Sequence, residues 1–311
     1  MNTETAALGA GAPPPAAAPA VTGRTLRTLI RREFWEHTAL WLVPLIVAAA
    51  LAVVTLFAKT IGVRVNDVNI QNVDEGARVL VLNMSQMLWV AVLYTAAAIV
   101  GAFVALDCLY AERKDRSILF WKSLPVSDGL TVLSKFLVIV AVAPLGIFLL
   151  AAVGHLVALG IWQARAASGA VPDVATWNTL AWLRGECVIL LCLILASLWY
   201  APLVAAAMLL SAWVKRSPLL WAILPLVLGC IFELIVFHTK HLWHFLQYRS
   251  GGIWNVLTHR DGYSVINGPG KLLHDLNWAA AFTDVDLWLG VLAAAALLYG
   301  AMRIRRYRDD T

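Results

Sequence analysis

Six apolar runs, most of them long enough to cross a lipid bilayer as a helix, dominate this sequence. A membrane-spanning helix needs about 20 predominantly apolar residues, because the hydrocarbon core is about 30 Å thick. Hydrophobic residues make up 61% of the chain and charged residues 14%, against about 45–50% and about 25% in soluble domains. The sequence therefore predicts an all-α integral membrane protein. The six predicted transmembrane helices cover 38–58, 86–106, 136–162, 187–214, 218–237 and 287–302.

The third and fourth predicted spans are longer than one crossing requires, so we expect them to tilt or to extend beyond the bilayer. Pro144 and Pro202 lie inside these two spans. Proline lacks a backbone donor and clashes with the preceding helical turn. Both residues therefore predict local distortions.

Lys and Arg residues are concentrated on one side of this topology. Six crossings place both termini on the same side of the membrane, together with the second and fourth connections. Most of the 24 Lys and Arg residues fall in these segments, and such residues are retained on the cytoplasmic side. Both termini and the segment 107–135 are thus predicted to be cytoplasmic. This bias and attraction to anionic lipid account for the net charge of +5, so no nucleic-acid partner is expected.

Composition divides the chain into a membrane domain over 25–303 and two cytoplasmic tails. Residues 1–24 are rich in Ala, Gly and Pro and lack an apolar segment behind a basic start, which predicts a disordered tail rather than a signal peptide. Over 25–37, apolar residues at helical spacing lie opposite arginines, which predicts an amphipathic helix in the membrane interface. The alternative is an extension of the first span. Residues 304–311 form the second tail.

The segment 238–286 is too polar to span the membrane but is rich in aromatic residues, and Gly and Pro divide it. This mixture predicts short re-entrant helices in the outer interface, where Trp and Tyr are favoured. His238, His241 and His244 recur every three residues, a spacing that spreads them around a helix, and no carboxylate or Cys joins them to complete a metal site. An interfacial polar cluster is favoured over a metal site here.

Common motifs for nucleotide binding and hydrolysis are absent from the sequence. It contains no Gly-x-x-x-x-Gly-Lys-Ser/Thr phosphate loop, no His-Glu-x-x-His zinc motif and no Gly-x-Ser-x-Gly nucleophile turn. We therefore expect this chain to be no enzyme and to hold no cofactor or metal.

Two carboxylates lie where an ionised group is costly. Glu186 is at the outer edge of the fourth predicted span, and Glu233 is in the outer part of the fifth. Charged groups at this depth usually face a cavity or a partner. Glu233 is therefore a candidate residue of a substrate pathway. Tyr94 and Phe103 of the second predicted span are further candidates. The alternative for Glu233 is a protonated or snorkelling side chain near the surface.

The segment 107–135 is the most charge-dense internal part of the chain, and charges at 112–116 precede apolar residues at 118–121. A short helix with a charged and an apolar end can dock onto another protein. Glu112-Arg113, Ser117, Leu124-Pro125-Val126-Ser127 and Lys135 resemble the cytoplasmic loop in the permease subunit of ABC exporters of the type-2 (ABC-2) family. The layout over 25–303 also resembles that family. Arg116-Ser117 departs from the Gly-Thr pair that is common there.

The resemblance implies two permease copies, forming a homodimer, and two separate ATPase subunits that bind ATP and Mg²⁺. It also implies the inner (plasma) membrane, a coupling helix in the segment 107–135, and a seam between copies made by the first, second and fifth spans. Apolar residues of the coupling helix would anchor it in the ATPase, charges would set its register, and a proline would end it. The candidate coupling residues are Glu112, Arg113, Arg116, Ser117, Phe120, Trp121, Lys122 and Pro125.

Three functional hypotheses follow. The first is the membrane subunit of an ATP-driven exporter of an amphipathic or hydrophobic substrate. The second is an ion-coupled secondary carrier that uses Glu186 and Glu233. The third is a membrane-anchored assembly protein or sensor without transport. For the segment 107–135 itself, the alternative to a coupling helix is a solvated loop whose charges only fix the topology.

Overall fold

The computed structural model describes residues 23–57, 75–117, 126–170, 178–258 and 278–307. The regular elements within these ranges are all helical. Nearly all of the predicted tail over 1–24 lies outside the described residues, as do Phe120, Trp121, Lys122 and Pro125. The helices are α1 Gly23–Glu36, α2 Ala39–Phe57, α3 Glu75–Asp107, α4 Tyr110–Lys114, α5 Asp128–Ala167, α6 Thr179–Trp213, α7 Pro218–Phe237, α8 His241–Thr258, α9 Trp278–Thr283 and α10 Val285–Tyr307.

Six of these helices, namely α2, α3, α5, α6, α7 and α10, are long and apolar enough to cross a membrane. The predicted all-α architecture is therefore confirmed, with six helices able to span a membrane. Several of these helices are longer than predicted. α3 begins at Glu75, before the predicted start at 86, and α10 continues to Tyr307, past the predicted domain boundary at 303. Both extensions bear polar residues that contact neighbouring helices, as described below.

The centre of the bundle is α6, which packs most extensively against α10 and α3. Small residues line this contact: Ala201, Ala205 and Ala212 of α6 meet Ala294 and Ala301 of α10 in the largest core cluster. Small side chains let helix backbones approach closely, which favours association within a membrane. α2, α3 and α5 form a second layer of packing beside this core.

A glycine and a tryptophan fix the contact between α3 and α5. Trp89 of α3 is buried, and a Cβ atom added at Gly154 of α5 would lie 2.4 Å from its ring. Such a distance is a steric clash, so the indole occupies the space that glycine leaves open.

α5 contains a π-helical turn over Val138–Val142, just before Pro144. A π turn inserts extra backbone length into an α-helix, and proline removes one hydrogen bond of the ladder. The distortion predicted near Pro144 therefore takes the form of a π turn. At Pro202, by contrast, α6 remains one continuous helix.

α7 is almost unpartnered in this fold. Pro218 is the one residue of α7 that is buried, although the helix is strongly apolar. It ends in a second π turn, Glu233–Phe237, and His238 then reverses the chain direction with a φ of 52°. α8 follows directly.

α8 is held against α6 and α10 by polar contacts of Arg249. The guanidinium of Arg249 lies 4.4 Å from the ring centroid of Trp199, whose Nε1 donates to the Arg249 carbonyl at 2.8 Å. The Nη2 of Arg249 occupies the space beside Gly290, where an added Cβ would lie 2.2 Å away. Tyr248 donates its hydroxyl to Asp286 at 2.7 Å. The 238–286 segment thus contains one long and one short helix among its described residues.

Candidate functional site

The chain turns sharply where α3 ends, and a buried serine holds this turn. The backbone N–H groups of Leu109 and Tyr110, at the start of α4, both donate to Oγ of Ser211 at 3.1 and 3.0 Å. These N–H groups have no partner within α4, because the first turn of a helix leaves its donors free. Ser211 belongs to α6, so the start of α4 is in contact with the side of α6.

Arg113 makes a second contact between α4 and α6, in which the side chain belongs to α4 and the backbone to α6. Its Nη2 donates to the carbonyls of Ser211 at 2.6 Å and Val214 at 2.7 Å. Both carbonyls belong to the end of α6, where the last turn leaves acceptors without helical partners. A cation is also favoured there by the helix dipole. Arg113 and Ser211 together fasten α4 to the end of α6.

Glu112 points in the other direction, into the bundle, where it is buried. Its Oε1 lies 3.0 Å from Nζ of Lys135 at the start of α5, and its Oε2 accepts from Nη1 of Arg305 at the end of α10. Arg305 also donates from Nε to Asp128 at 3.1 Å. The carboxylate of Glu112 therefore connects α4 to both α5 and α10.

Glu33 of α1 completes this arrangement. It is fully buried, and its Oε2 accepts from Nζ of Lys135 at 2.7 Å. Arg32 lies 3.0 Å from Oε1 of Glu33 and 4.0 Å from Oε1 of Glu112. We call Arg32, Glu33, Glu112, Asp128, Lys135 and Arg305 the ionic cluster.

The ionic cluster is electrically balanced, with three carboxylates and three cations. Desolvation of buried charges is costly, and it is offset only where each charge has close partners of opposite sign. Removing one partner leaves an uncompensated buried charge, so the four elements that supply the cluster depend on one another. α1, α4, the first turns of α5 and the last turns of α10 therefore form one rigid end of the bundle.

His37 lies beside the ionic cluster, in the turn between α1 and α2. Its Nε2 is 3.7 Å from Oε2 of Glu33. Burial lowers the pKa of His37 below its ordinary value of 6.5, and the positive charge of Lys135 adds to this effect, against the opposing influence of Glu33. His37 is therefore neutral at neutral pH.

The predicted coupling residues divide into two groups. Glu112 and Arg113 are occupied by intramolecular partners. Arg116 is exposed together with its neighbours Lys114 and Asp115, while Ser117 donates to the Glu112 carbonyl at 3.3 Å. The other four predicted coupling residues lie outside the described part of the chain.

Arg116 follows the C-cap of α4 and has a φ of 56°. This left-handed conformation costs about 1–2 kcal/mol for most residues, whereas glycine adopts it readily. Arg116 therefore holds an exposed positive charge in a backbone conformation that favours glycine.

An apolar recess lies between α3, α5 and α6 and has a volume of about 600 Å³. Tyr94, predicted to belong to a substrate pathway, lines it together with Thr95 and Tyr200. Phe103 is exposed on α3 and does not line this recess, and neither does Glu233. Of the three predicted pathway residues, Tyr94 alone lines the recess.

Glu233 serves instead as the acceptor for the start of α8. Its carboxylate accepts from the backbone N–H groups of His241 at 2.6 Å and Leu242 at 2.8 Å, and from the hydroxyl of Thr239 at 2.8 Å. An acidic side chain at a helix N-terminus satisfies free donors and complements the helix dipole. His238, His241 and His244 belong to no metal-binding group of His, Cys, Asp or Glu in the part of the chain that the structure describes.

Sequence reasoning missed Glu33, Ser211 and Arg305. Ser211 and Arg305 are polar residues near the ends of long apolar helices, and Glu33 is an acidic residue within the arginine-rich α1. These positions are the signal that could have marked them. Their partners come from segments about 100 to 200 residues away along the chain, and helical periodicity carries no information on contacts between such distant segments.

No protein-family model, curated protein or solved structure matches this chain.

Proposed function

We propose that this chain is the membrane subunit of an ATP-driven exporter of the ABC-2 type, and that the segment 107–135 transmits movement of a separate ATPase to the membrane helices. The observation that carries the proposal is the ionic cluster. It joins the base of this segment to α1, α5 and α10, while Ser211 and Arg113 join it to α6.

To transmit movement, the segment 107–135 must be rigidly attached to the membrane helices where it leaves the bundle; we call this attachment, at α4, the base of the segment. If the segment were a solvated loop that only fixed the topology, its charges would face water. Glu112 instead is buried and bridges two cations from separate helices. A displacement of α4 therefore has to move the ends of several membrane helices together, because breaking any of these buried pairs is costly.

The surface available to a partner lies beyond this base. Lys114, Asp115 and Arg116 are exposed, so their charges can set the register against an ATPase. Phe120 and Trp121, outside the described residues, are the proposed apolar anchors. Glu112 and Arg113 are better described as positioning residues, because their side chains bind within the chain.

A second copy of the chain is the other proposed partner. α7 is apolar and lacks buried residues beyond Pro218, so its surface is open to lipid or to another copy. By family analogy, α2, α3 and α7 would form the seam of a homodimer in the inner membrane, with both termini cytoplasmic. The apolar recess beside Tyr94 suits an amphipathic or hydrophobic substrate.

The test is co-purification with the ATPase in mild detergent. Phe120→Ala combined with Trp121→Ala should abolish ATPase association and ATP-dependent transport without unfolding the chain. The matched control is Trp243→Ala with Phe245→Ala, which removes an exposed Trp and Phe of α8 and should leave the association intact. Normal association and transport in the first double variant would overturn the coupling role.

An ion-coupled secondary carrier is the alternative, and the buried position of Glu186 favours it over a protein without transport. It predicts substrate uptake by the purified chain alone in liposomes with an imposed ion gradient. Transport that requires the ATPase and ATP would reject this alternative.

A further inference from the structure

A second buried polar cluster lies toward the end of the bundle opposite to the ionic cluster. It contains Asn83, Ser85 and Gln86 of α3, His155 of α5, and Trp182 and Glu186 of α6. Gln86, His155 and Glu186 are each at least 95% buried. We call this set the amide cluster, and the mechanism proposed above uses none of its residues.

Hydrogen bonds assign the protonation of His155. The indole Nε1 of Trp182 can only donate, and it donates to Nδ1 of His155 at 3.2 Å. Nε2 of His155 lies 2.7 Å from Oγ of Ser85, which donates its own hydrogen to the Leu82 carbonyl at 2.7 Å. Nε2 must therefore carry the hydrogen, and His155 is neutral, with every polar atom occupied.

Gln86 uses both hydrogens of its amide. Its Nε2 donates to the Trp182 carbonyl at 3.1 Å and to Oε1 of Glu186 at 3.0 Å. α3 and α6 approach closely here, because a Cβ added at Gly185 would lie 2.2 Å from Oε1 of Gln86 and 3.2 Å from Oδ1 of Asn83. The two amide oxygens therefore lie beside the same glycine.

Three buried oxygen atoms in this cluster lack a donor. Oε2 of Glu186, Oε1 of Gln86 and Oδ1 of Asn83 have no hydrogen-bond partner among the described residues. An ionised carboxylate offers only acceptors, so an ionised Glu186 would leave all three oxygens unsatisfied. A buried polar group without a partner is costly, and a buried charge without one is more so.

Charged groups near Glu186 do not offset this cost. His155 of α5 bonds to Trp182, one helical turn before Glu186, and is neutral. Arg165 of α5 donates to the Thr55 carbonyl at 2.9 Å. Among the described residues, the carboxyl group of Glu186 has the amide of Gln86 as its partner and no ion pair with a cation.

We propose that the amide cluster is a proton-binding site, in which Glu186 is a neutral acid with its hydrogen on Oε2. The proton removes the buried charge and converts an unsatisfied acceptor into a donor, beside two amide oxygens that lack one. A hard metal cation such as Ca²⁺ or Mg²⁺ takes about six or more oxygen ligands, whereas three side-chain oxygens here lack a donor.

The position of the site gives the proton a structural role. Met87 and Ile189, which line the apolar recess, lie next to Gln86 and one helical turn from Glu186. The bond between Gln86 and Glu186 thus closes α3 onto α6 at one end of the recess. Loss of the proton would place an unpaired charge at this closure and favour separation of the two helices. This assignment goes beyond the proposed exporter and does not depend on an ATPase.

Infrared spectroscopy of the full chain in detergent at neutral pH tests the proposal. We expect a carbonyl stretch of a buried, protonated carboxylic acid that is lost in Glu186→Gln. Glu233→Gln is the matched control, because Glu233 accepts three hydrogen bonds and should be ionised. The band should therefore persist in that variant. A spectrum in which Glu186→Gln removes no acid band would overturn the proposal.

A second measurement guards against misfolding of the variant. A hydrophobic carbodiimide modifies protonated buried carboxyl groups, so the unaltered chain should be labelled at Glu186, as read by mass spectrometry, and labelling should fall as the pH is raised. Protection of Glu186 by sodium at constant pH would assign the site to a metal cation and overturn the proton. Absence of labelling at Glu186 would overturn it as well.

Discussion

Buried carboxylates in this protein are of two kinds, distinguished by their partners. Glu33 and Glu112 face ammonium and guanidinium groups at distances of 3.0 Å or less, whereas Glu186 faces a side-chain amide. The same substitution, glutamate to glutamine, therefore has opposite expected consequences at the two sites. It removes a needed charge from the first site and reproduces the proposed neutral state at the second.

Glu112→Gln should destabilise the chain by about 3–5 kcal/mol, because it leaves the charges of Lys135 and Arg305 without their shared partner in a buried site. Thermal unfolding in detergent measures the effect. Glu36→Gln is the control, since Glu36 pairs with Arg32 at the exposed surface of α1. It should change stability by less than about 0.5 kcal/mol. Equal effects at the two positions would show that the ionic cluster adds nothing beyond surface pairing.

His37 makes stability depend on pH. Its folded-state pKa lies below 6.5, so the unfolded chain takes up the proton first as the pH falls. The stability that neutral His37 contributes is fully present above about pH 6.5 and is lost as the pH falls through the folded-state pKa. We expect Tm to decline less in His37→Gln than in the unaltered chain over this acidic window.

A matched histidine substitution provides the control for this profile. His244 is exposed on α8, away from the ionic cluster, and His244→Gln should keep the pH dependence of the unaltered chain. Parallel Tm profiles for His37→Gln and the unaltered chain would remove His37 as the cause.

At the scale of the elements, α8 depends on a residue of the preceding helix. Glu233→Ala should loosen the first turn of α8, because two backbone N–H groups lose their acceptor. Hydrogen exchange at His241 and Leu242 should become several-fold faster, while the centre of α6 stays protected. Glu233→Gln retains an acceptor oxygen and should restore most of the protection. Unchanged exchange in Glu233→Ala would mean that other groups hold this turn.

The helical elements could be predicted from the sequence because hydropathy depends on local composition. Each of the six predicted spans overlaps one helix of the structure, and the predicted span 218–237 coincides with α7. The start of α3 was missed because Asn83 and Ser85, just before the predicted start at Gln86, are polar. All three residues are helical nevertheless, since their side chains bond to α5 and α6 or lie buried beside them.

The candidate site was predicted only in part. Glu112, Arg113 and Lys135 were identified from the motif, but the motif does not say where their side chains point. In the structure, Glu112 points into the bundle, where it pairs with Lys135 and Arg305. Arg113 instead donates to a carbonyl at the end of α6. Contacts between segments so far apart in the chain depend on the packing of the whole bundle, which local sequence patterns do not encode.

For the whole molecule, the exposed surface of α7 is the feature most relevant to assembly. In a chain without Cys187 and Cys230, single cysteines at 223 and 227 of α7 should form disulfide-linked dimers on mild oxidation in membranes. Cysteines at 149 and 153 of α5 are the control, because Leu149 and Val153 are at least as exposed as Ile223 and Val227. Those variants should stay monomeric on denaturing gels. Equal cross-linking on both helices would reject α7 as the seam.

The π turn in α5 sets the phase between the two halves of that helix. Residues of an α-helix advance by about 100° each, and a π turn accommodates one residue more than an α turn. Deleting a single residue from 138–142 would restore a regular helix and swing Lys135 roughly 100° away from Glu33 and Glu112 if the other half stayed in place. One inserted residue near the start of the third span thus determines which way the lysine at its end points.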